Sequence, residues 1–295
     1  MQIAVLGANG FTGRFVCAEL QRRQCAFVAL LRPGSDISWM SARQIPVRFA
    51  NLNNAAQLVD QLAGCRALLN VASIGFGAAP VILESCKAAS VRRAVFVSTT
   101  AIFTQLNAGS KAMRQCAEAA IKSSSLDTTI LRPTMIYGTP GDRNMIRLVR
   151  WLSRWPVLPV FGNGRSLQQP VHVSNVAWAL VQALDTPSTI GRQFNISGAE
   201  SLTYNDVVRL TCKALGRHVQ RLHVPAQSMV GLLQVSERLG INLPIKAEQI
   251  LRLNEDKAFP HSEAAEAFGY SPITFEQGIS EEVALFRSGE DGLSY

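Results

Sequence analysis

Hydroxyl side chains and one amine are concentrated in the segment STTAIFTQLNAGSK, which runs from Ser98 to Lys111. Ser98, Thr99 and Thr100 directly follow the apolar run AVFV, which is typical of a buried strand. Hydroxyl and ammonium groups can polarise a carbonyl group, but Lys111 is the sole ionisable side chain of the segment. It is therefore a candidate catalytic segment without an evident proton donor near neutral pH.

A glycine-rich turn near the N-terminus could hold phosphate groups. Gly7, Gly10 and Gly13 in IAVLGANGFTGRFV follow the first predicted strand and open the first predicted helix. Glycines permit a tight turn there, and the backbone N–H groups of a helix N-terminus can bind a pyrophosphate. The motif predicts dinucleotide binding; the alternative is a tight strand-to-helix turn without a ligand. The predicted contacts in this turn are Gly7, Asn9, Gly10, Phe11, Thr12 and Gly13.

Arg32 stands at the end of the second predicted strand, in ALLRPGSD, where an acidic residue would hold the ribose of NAD. An arginine at this place favours a ribose 2′-phosphate, so the sequence predicts NADP(H) in preference to NAD(H). The alternative is a solvated arginine before a proline turn. Arg14, at the start of the first helix, is a second candidate for the phosphate.

The elements that would position these residues alternate between strand and helix. Short, continuously apolar runs such as QIAVLG, CAFVALL and TTILRP are separated by helical patterns, which favours a parallel sheet covered on both faces. We therefore predict an α/β fold: a Rossmann-like doubly wound parallel sheet with a smaller, mostly helical C-terminal lobe. Residues 1–138, completed by segments near 168–198, form the predicted NAD(P)-binding domain. Residues 139–167 and 199–295 form the predicted substrate or partner lobe.

Composition restricts the class of protein. Hydrophobic residues make up 47% and charged residues 17% of 295 residues, which excludes a disordered chain. The six cysteines have no CxxC spacing and no histidine pair has metal-ligand spacing, so we expect free thiols that fill the core, and no metal site. The apolar runs are too short to cross a bilayer, and no signal peptide is evident, so we expect a cytoplasmic protein. The net charge of +8 suits phosphate-bearing small molecules, whereas no nucleic-acid-binding signature accompanies it.

Further motifs carry a resemblance to a known superfamily. NLNN, NVAS, VSTT and LRPTMIYG follow or end the third to sixth predicted strands. With the glycine turn, they make the chain similar to the short-chain dehydrogenase/reductases over nearly its whole length, above all to the extended branch of nucleotide-sugar epimerases and dehydratases. The resemblance adds a set of predicted cofactor contacts: Asn51 and Leu52 at the adenine, and Val71, Ala72, Ser98, Lys111, Pro133 and Thr134.

The resemblance also implies a catalytic set, from which this chain departs. In the superfamily a hydroxyl after the fifth strand acts with a YxxxK pair, whose tyrosine transfers the proton and whose lysine binds the nicotinamide ribose. The hydroxyl maps to Ser98, Thr99 or, best placed, Thr100; the lysine maps to Lys111; the tyrosine position is Asn107. The chain's four tyrosines, Tyr137, Tyr204, Tyr270 and Tyr295, lie elsewhere. An amide cannot transfer a proton near neutral pH, so the chain resembles the atypical members, and epimerase or dehydratase chemistry is not implied.

Three interpretations of the reaction remain open at this stage. Thr100, Asn107 or Lys111 could polarise a carbonyl group during hydride transfer, with solvent or substrate supplying the proton. Tyr137 could supply a proton from another direction, although a core aromatic is the alternative reading of that residue. Finally, the chain could bind NADP(H) without catalysis. His172, in an apolar run, is typical of a structural histidine.

A basic segment follows residue 138. Arg143, Arg147, Arg150 and Arg154 recur at intervals of four, three and four, which predicts one face of a helix that ends near Trp151 and Trp155. This Arg143–Trp155 helix could be a solvated face, could hold an anionic substrate such as a nucleotide diphosphate or an acyl-CoA, or could contact an anionic membrane or a protein.

The sequence thus favours an NADP(H)-dependent oxidoreductase, a monomer or homodimer, acting on a small carbonyl or nucleotide-linked substrate. The alternative is a non-catalytic NADP(H)-binding redox sensor or assembly factor.

Overall fold

The strands and helices follow each other in near-regular alternation in the computed structural model, which describes residues 2–52, 54–106, 109–238, 247–290 and 292. The strands are β1 Ile3–Leu6, β2 Phe27–Leu31, β3 Val47–Phe49, β4 Ala67–Asn70, β5 Arg93–Val97, β6 Asp127–Pro133, β7 Ile136–Tyr137, β8 Val157–Phe161, β9 Leu167–Gln168, β10 Val171–His172, β11 Gln193–Ile196, β12 Leu202–Thr203 and β13 Gln220–Val224. The α-helices are α1 Phe11–Arg22, α2 Ser38–Ala42, α3 Ala55–Leu62, α4 Ala79–Ala88, α5 Lys111–Lys122, α6 Met145–Arg154, α7 Val173–Asp185, α8 Tyr204–Leu215, α9 Ala226–Arg238, α10 Ala247–Leu253, α11 Ser262–Phe268 and α12 Phe275–Ser288.

A parallel sheet with seven strands in the order β11-β6-β5-β4-β1-β2-β3 forms the centre of the fold. Val5 of β1 lies between Ala29 of β2 and Leu69 of β4. The strand order reverses at β1 and β4, because the chain runs outward to β3 on one side and to β6 on the other. This is the topological switch point at which doubly wound sheets bind ligands. The predicted fold class is confirmed.

Both faces of the sheet are covered by helices, which explains the continuously apolar strands. On one face Ile3 and Val5 pack with Leu20 of α1 and Leu180 of α7. On the other, Ala4 and Leu6 pack with residues of α3, α4 and α5, among them Leu58, Ile82 and Ile121. β11 and α7 come from the chain beyond residue 170, so the sheet and its covering layer are completed by a returning segment.

The C-terminal part is mostly helical, as predicted, and it also contains short strand pairs. α6, α8 and α12 enclose a separate core that includes Val149, Leu152, Val208 and Ile279. Around it β7 pairs with β10, β9 with β12, and β8 with β13. Most of these strands have two residues, which is too short for a periodic pattern to be recognised.

One cysteine departs from the expected role of core filling. All six are free thiols, and Cys17, Cys65, Cys86 and Cys212 are buried, whereas Cys116 on α5 is exposed.

Candidate active site

A cleft of about 930 Å³ lies at the carboxyl ends of the central strands, between the sheet and the C-terminal part. Its walls include the turn between β1 and α1, the segments after β4, β5 and β6, the start of α5, the segment before α6 with its first turn, the start of α8, and residues 252–259. The cleft therefore lies at the switch point of the sheet, where a ligand is expected.

The turn between β1 and α1 is built for close backbone approach. Gly7 has a φ of +82°, and a Cβ at this residue would lie 2.7 Å from the backbone nitrogen of Ala72. A Cβ at Gly13 would lie 2.7 Å from the carbonyl oxygen of Ala8. Gly10 is the N-cap of α1 and offers no side-chain cap, and the first residues of the helix, Phe11, Thr12 and Gly13, line the cleft with it. These features fit the phosphates of a dinucleotide.

The side of the turn toward β2 carries the predicted phosphate-binding arginines. The Arg14 guanidinium donates to Asn9 Oδ1 at 2.9 Å and lies 5.7 Å from the centre of the Trp39 ring. Asn9 in turn donates to the carbonyl oxygen of Asp36 at 2.9 Å. Arg32 follows β2 directly and its side chain is exposed. Arg14 is thus fixed within the loop, whereas Arg32 is accessible to a ligand at its edge.

The predicted adenine and strand-end contacts are distributed around the same edge of the sheet. Val71 and Thr134 line the cleft. Ala72 contributes backbone contacts to the glycine turn, and Asn51 is exposed beyond β3. Leu52 is half-buried against the core under α3.

The hydroxyl group predicted to be best placed for catalysis lies in the cleft. Thr100 is buried, lines the cleft and donates from Oγ1 to the carbonyl oxygen of Pro133 at 3.4 Å. Thr99 also lines the cleft, but its hydroxyl accepts from the backbone N–H of Ala101. Ser98 is buried below them.

The other two members of the predicted catalytic segment are placed differently. Lys111 begins α5, donates from Nζ to the carbonyl oxygen of Thr104 at 2.6 Å, and is not among the described residues that line the cleft. Asn107 lies outside the described residues. The structure therefore brings Thr100, and not Lys111, to the cleft wall.

Tyr137 and His172 belong to a core and not to the cleft surface that the structure describes. The Tyr137 ring lies 5.5 Å from the His172 ring and 5.2 Å from the Phe275 ring. Burial raises the pKa of Tyr137 well above its ordinary value, which disfavours proton release at neutral pH. Burial also lowers the pKa of His172 to about 4, so His172 is neutral and its 3.7 Å contact with Glu281 is not an ion pair at pH 7.

The four arginines of the predicted Arg143–Trp155 helix are divided between the cleft and the outer surface. The spacing predicted that Arg143 lies on this helix. α6 begins at Met145, so Arg143 precedes the helix and that prediction is wrong for this residue. Arg143 and Arg147 line the cleft, whereas Arg150 and Arg154 are exposed beyond it. Arginines at the cleft can hold an anionic group of a ligand.

Three further cations at the cleft were missed by the sequence analysis: Arg114, Arg252 and Lys257. Arg114 lies three residues after Lys111 on α5, so its spacing could have suggested it. Burial lowers the pKa of Lys257, whose Nζ donates to the carbonyl oxygen of Arg252. No motif in the sequence marks Lys257, because it reaches the cleft through the tertiary fold alone.

Two carboxylates in the segment 252–259 anchor that segment across the cleft. Glu255 accepts from the Thr104 hydroxyl and from the Gln105 N–H, both at 2.7 Å. Asp256 accepts from the Leu167 N–H at 2.7 Å. Both carboxylates are held by donors of the protein itself, and the arginines that line the cleft supply positive charge for an anionic ligand.

A third acidic residue of the cleft, Asp142, forms a carboxyl pair that the sequence did not indicate. Asp142 accepts from the Asn144 N–H at 2.6 Å and from the N–H of Ile146 in α6. The fully buried Glu282 accepts from the Gly138 N–H at 3.1 Å. Burial and a hydrogen bond with Asp142 raise the pKa of Glu282 to about 10. At pH 7 the Glu282 carboxyl group is therefore protonated and neutral.

Comparisons with known proteins give the family of the chain and proteins to which it is similar. Residues 7–187 match a family described as NAD(P)H-binding. The chain is 25% identical to a 2-alkyl-3-oxoalkanoate reductase of Stenotrophomonas maltophilia, over 95% of this chain and 97% of that protein. It is 22% identical to the NADH dehydrogenase [ubiquinone] 1 alpha subcomplex subunit 9 of Dictyostelium discoideum, over 76% of this chain and 66% of that subunit. A solved UDP-glucose 4-epimerase of Thermotoga maritima with UDP-glucose shares the fold, with a TM-score of 0.77 and 16% identity over 98% of this chain and 99% of that one.

Proposed function

The chain belongs to the NAD(P)H-binding family, and from that premise we propose that it is an NADP(H)-dependent oxidoreductase of the atypical short-chain dehydrogenase/reductase type. Its proposed substrate is a small carbonyl compound or a nucleotide-linked compound with an anionic group. The observation that carries the proposal is a continuous cleft, which runs from the glycine turn past Thr100 to Arg143 and Arg147. Side chains of the described residues leave this cleft of about 930 Å³ open, which supports an enzyme more than a sensor.

The domain roles follow from the placement of these walls. We propose that residues 1–138, with segments near 168–198, hold the cofactor. Residues 139–167 and 199–295 contribute the proposed substrate-binding groups, namely Arg143, Arg147, Arg252 and Lys257.

Bound NADPH would supply a hydride to the substrate carbonyl carbon. The Thr100 hydroxyl would polarise the carbonyl oxygen. Among the described residues that the sequence predicted to be catalytic, Thr100 is the one that lines the cleft. Lys257 is the proposed proton donor in place of a tyrosine, since it lines the cleft and burial lowers the pKa of its ammonium group. Asn107 could then hold the substrate oxygen without transferring a proton.

The arginines would hold the anionic part of the substrate. Arg143 and Arg147 can form charge-assisted hydrogen bonds with a carboxylate or a diphosphate. A relative named as a reductase of 2-alkyl-3-oxoalkanoates supports a carbonyl compound with a carboxylate. The fold shared with an epimerase solved with UDP-glucose supports the nucleotide-linked alternative.

A substrate screen tests this proposal directly. NADPH oxidation is followed with panels of 3-oxo acids, simple ketones and nucleotide sugars. We expect turnover with an anionic carbonyl compound, and Arg147→Gln should raise its KM by roughly tenfold or more. Arg150→Gln, one turn away on α6 and outside the cleft, is the matched control. Turnover of neutral ketones with no response to Arg147→Gln would contradict the proposed role of the arginines.

Cofactor preference gives a second test. Arg32→Asp should weaken NADPH binding and strengthen NADH binding, each by roughly tenfold, because an aspartate repels the 2′-phosphate and accepts from a ribose hydroxyl. Fluorescence titration of both cofactors against both proteins measures the change. Arg66→Asp, at another exposed position, controls for the altered net charge. Identical titration curves for the two cofactors with the unmodified chain would contradict the NADP(H) preference.

Lys111→Ala should weaken NADPH binding by roughly tenfold. We propose that the ammonium group binds the nicotinamide ribose. Because Lys111 does not line the cleft, this contact requires its ammonium group to leave the Thr104 carbonyl of the segment that carries Thr99 and Thr100. Titration with NADPH measures the loss, and Lys122→Ala at the exposed C-terminal end of α5 is the control. Unchanged affinity would show that Lys111 is a structural residue alone.

A non-catalytic role as an NADP(H)-binding redox sensor or assembly factor is the second candidate. The observation in its favour is the similarity to a subunit of an NADH dehydrogenase. NADPH titration and the substrate screen together distinguish the two functions. An enzyme binds NADPH and oxidises it with at least one compound of the panel, whereas a sensor binds NADPH and oxidises it with none of them.

A further inference from the structure

A continuous exposed face lies beyond the cleft, where the end of α6 meets the pair β8–β13. Its apolar part consists of Trp151, Trp155, Val157 and Leu222, whose exposed fractions are 42%, 49%, 39% and 58%. Its basic part consists of Arg150, Arg154 and Arg217, all exposed. We call these residues the Trp–Arg face. Clustered apolar side chains of this size on a surface indicate an interaction site.

The parts of this face are joined by direct contacts. Trp151 donates from its indole nitrogen to the carbonyl oxygen of Val157 at 2.9 Å, which fixes α6 against β8. Val157 pairs with Gln220 and Pro159 with Leu222, which sets β13 beside β8. The Trp151 and Trp155 rings lie 6.1 Å apart. The face is therefore a defined surface and not a set of scattered residues.

Carboxylates are absent from the chain segments that form the face. The sequence has no aspartate or glutamate between residues 143 and 184 or between residues 207 and 236. Two cations at its margin are neutralised from outside these segments: Lys213 pairs with Glu276 at 2.6 Å, and Arg209 pairs with Asp206 at 3.2 Å. The arginines of the Trp–Arg face thus present a net positive charge to whatever binds there.

We propose that the Trp–Arg face docks on an anionic lipid bilayer. Indole rings prefer the boundary between headgroups and acyl chains, and arginines attract anionic headgroups. Val157 and Leu222 gain from transfer to that boundary, whereas nucleic acid offers them no comparable contact. A second copy of this face would be repelled by its like charge. None of the described helices is long and apolar enough to cross a membrane, so contact at the surface is the mode that this face supports.

Docking would place the cleft next to the lipid surface. Arg147 lines the cleft, and Trp151 follows it by one turn of α6, about 6 Å along the helix axis. An amphiphilic anionic substrate could then pass between the bilayer and the cleft over a short path.

Co-sedimentation of the full chain with vesicles tests the docking. We expect it to pellet with vesicles of phosphatidylcholine mixed with phosphatidylglycerol and to stay in solution with phosphatidylcholine alone. Binding should weaken as salt is raised. The double variant Arg150→Glu/Arg154→Glu should lose roughly thirtyfold or more in partitioning, and Trp155→Ser/Leu222→Ser roughly tenfold or more. The matched controls are Arg66→Glu/Arg92→Glu and Phe76→Ser, which alter exposed residues away from this face and should leave binding unchanged.

Tryptophan fluorescence is an independent measurement that does not need a destabilising variant. The mixed vesicles should shield Trp151 and Trp155 from acrylamide, and Trp151→Phe/Trp155→Phe should remove the shielding although Trp39 and Trp178 remain. Failure to bind the mixed vesicles would overturn the proposal. It would also be overturned by equal losses in the control variants. Finally, binding to single-stranded DNA or dimer formation that depends on the same residues, without vesicle binding, would assign the face to another partner.

Discussion

Replacing Gly13 with alanine should reduce the affinity for NADP(H) by roughly a hundredfold or more. It should also lower the free energy of unfolding by about 2–4 kcal/mol. The new methyl group would press on the carbonyl oxygens of Gly7 and Ala8, which are backbone atoms of the same turn and cannot move aside as a side chain can. The helix would have to shift away from β1, and its N–H groups would leave the position in which they meet a pyrophosphate. NADPH titration and thermal unfolding measure the two effects.

A matched control for this substitution exists within the same chain. Gly231 lies inside α9, and a Cβ there would meet no atom within 4 Å. Gly231→Ala should therefore leave NADP(H) binding unchanged and raise stability slightly, by about 0.5–1 kcal/mol, because alanine is the better helix former. Full NADP(H) affinity in Gly13→Ala would contradict the proposed binding of phosphates by the glycine turn.

Glu282→Gln should stabilise the protein at alkaline pH and remove much of its pH dependence there. The folded state keeps the Glu282 carboxyl protonated up to about pH 10, whereas the unfolded state releases this proton near the ordinary pKa of 4.5. Between these values the folded state holds more protons, so the free energy of unfolding falls as pH rises, by about 1.4 kcal/mol per pH unit. A glutamine amide can accept from the Gly138 N–H and donate to Asp142, but it cannot ionise.

His172 adds the opposite slope at lower pH. Its pKa falls from 6.5 to about 4 in the folded protein, so the unfolded state binds the extra proton between these values and stability rises with pH in that window. The two slopes oppose each other between pH 4.5 and 6.5, and stability should fall above pH 6.5. Urea unfolding of the unmodified chain and Glu282→Gln at several pH values measures both slopes. Glu266→Gln, at an exposed position on α11, is the control; parallel pH profiles for the unmodified chain and Glu282→Gln would show that this carboxyl group is not held neutral.

The strands of the sheet could be predicted because each carries its signal within a few consecutive residues. IAVL and FVALL are buried on both sides, so they are continuously apolar, and the turn after β1 carries its glycines in adjacent sequence. β13, with the sequence QRLHV, has no such pattern, since all but one of its residues are exposed and its pairing with β8 depends on distant segments. Such short pairs follow from tertiary packing and not from local preference.

The site was predictable to the same extent. Thr100 and the glycine turn lie where strands end, and the end of a strand can be recognised from the sequence. Lys257 and Asp142 reach the cleft from parts of the chain with no periodic or motif signal. The shifted pKa values of Lys257 and of the buried Glu282 result from burial in the folded chain. The spacing of Arg143 and Arg154 correctly indicated a basic segment. It could not show where α6 begins or which arginines would reach the cleft, because that depends on how α6 packs against α8.

The return of the chain to the sheet has a consequence for how the protein is made. β11 completes the edge next to β6, and α7 covers the same face as α1, yet both are synthesised after residue 170. While the ribosome extends the intervening residues, the nascent sheet has an open edge at β6 and an uncovered apolar surface beside α1. The cofactor-binding half therefore cannot finish folding as an early product of translation. A gene fragment that ends at residue 138 should yield an aggregating polypeptide instead of a small nucleotide-binding module.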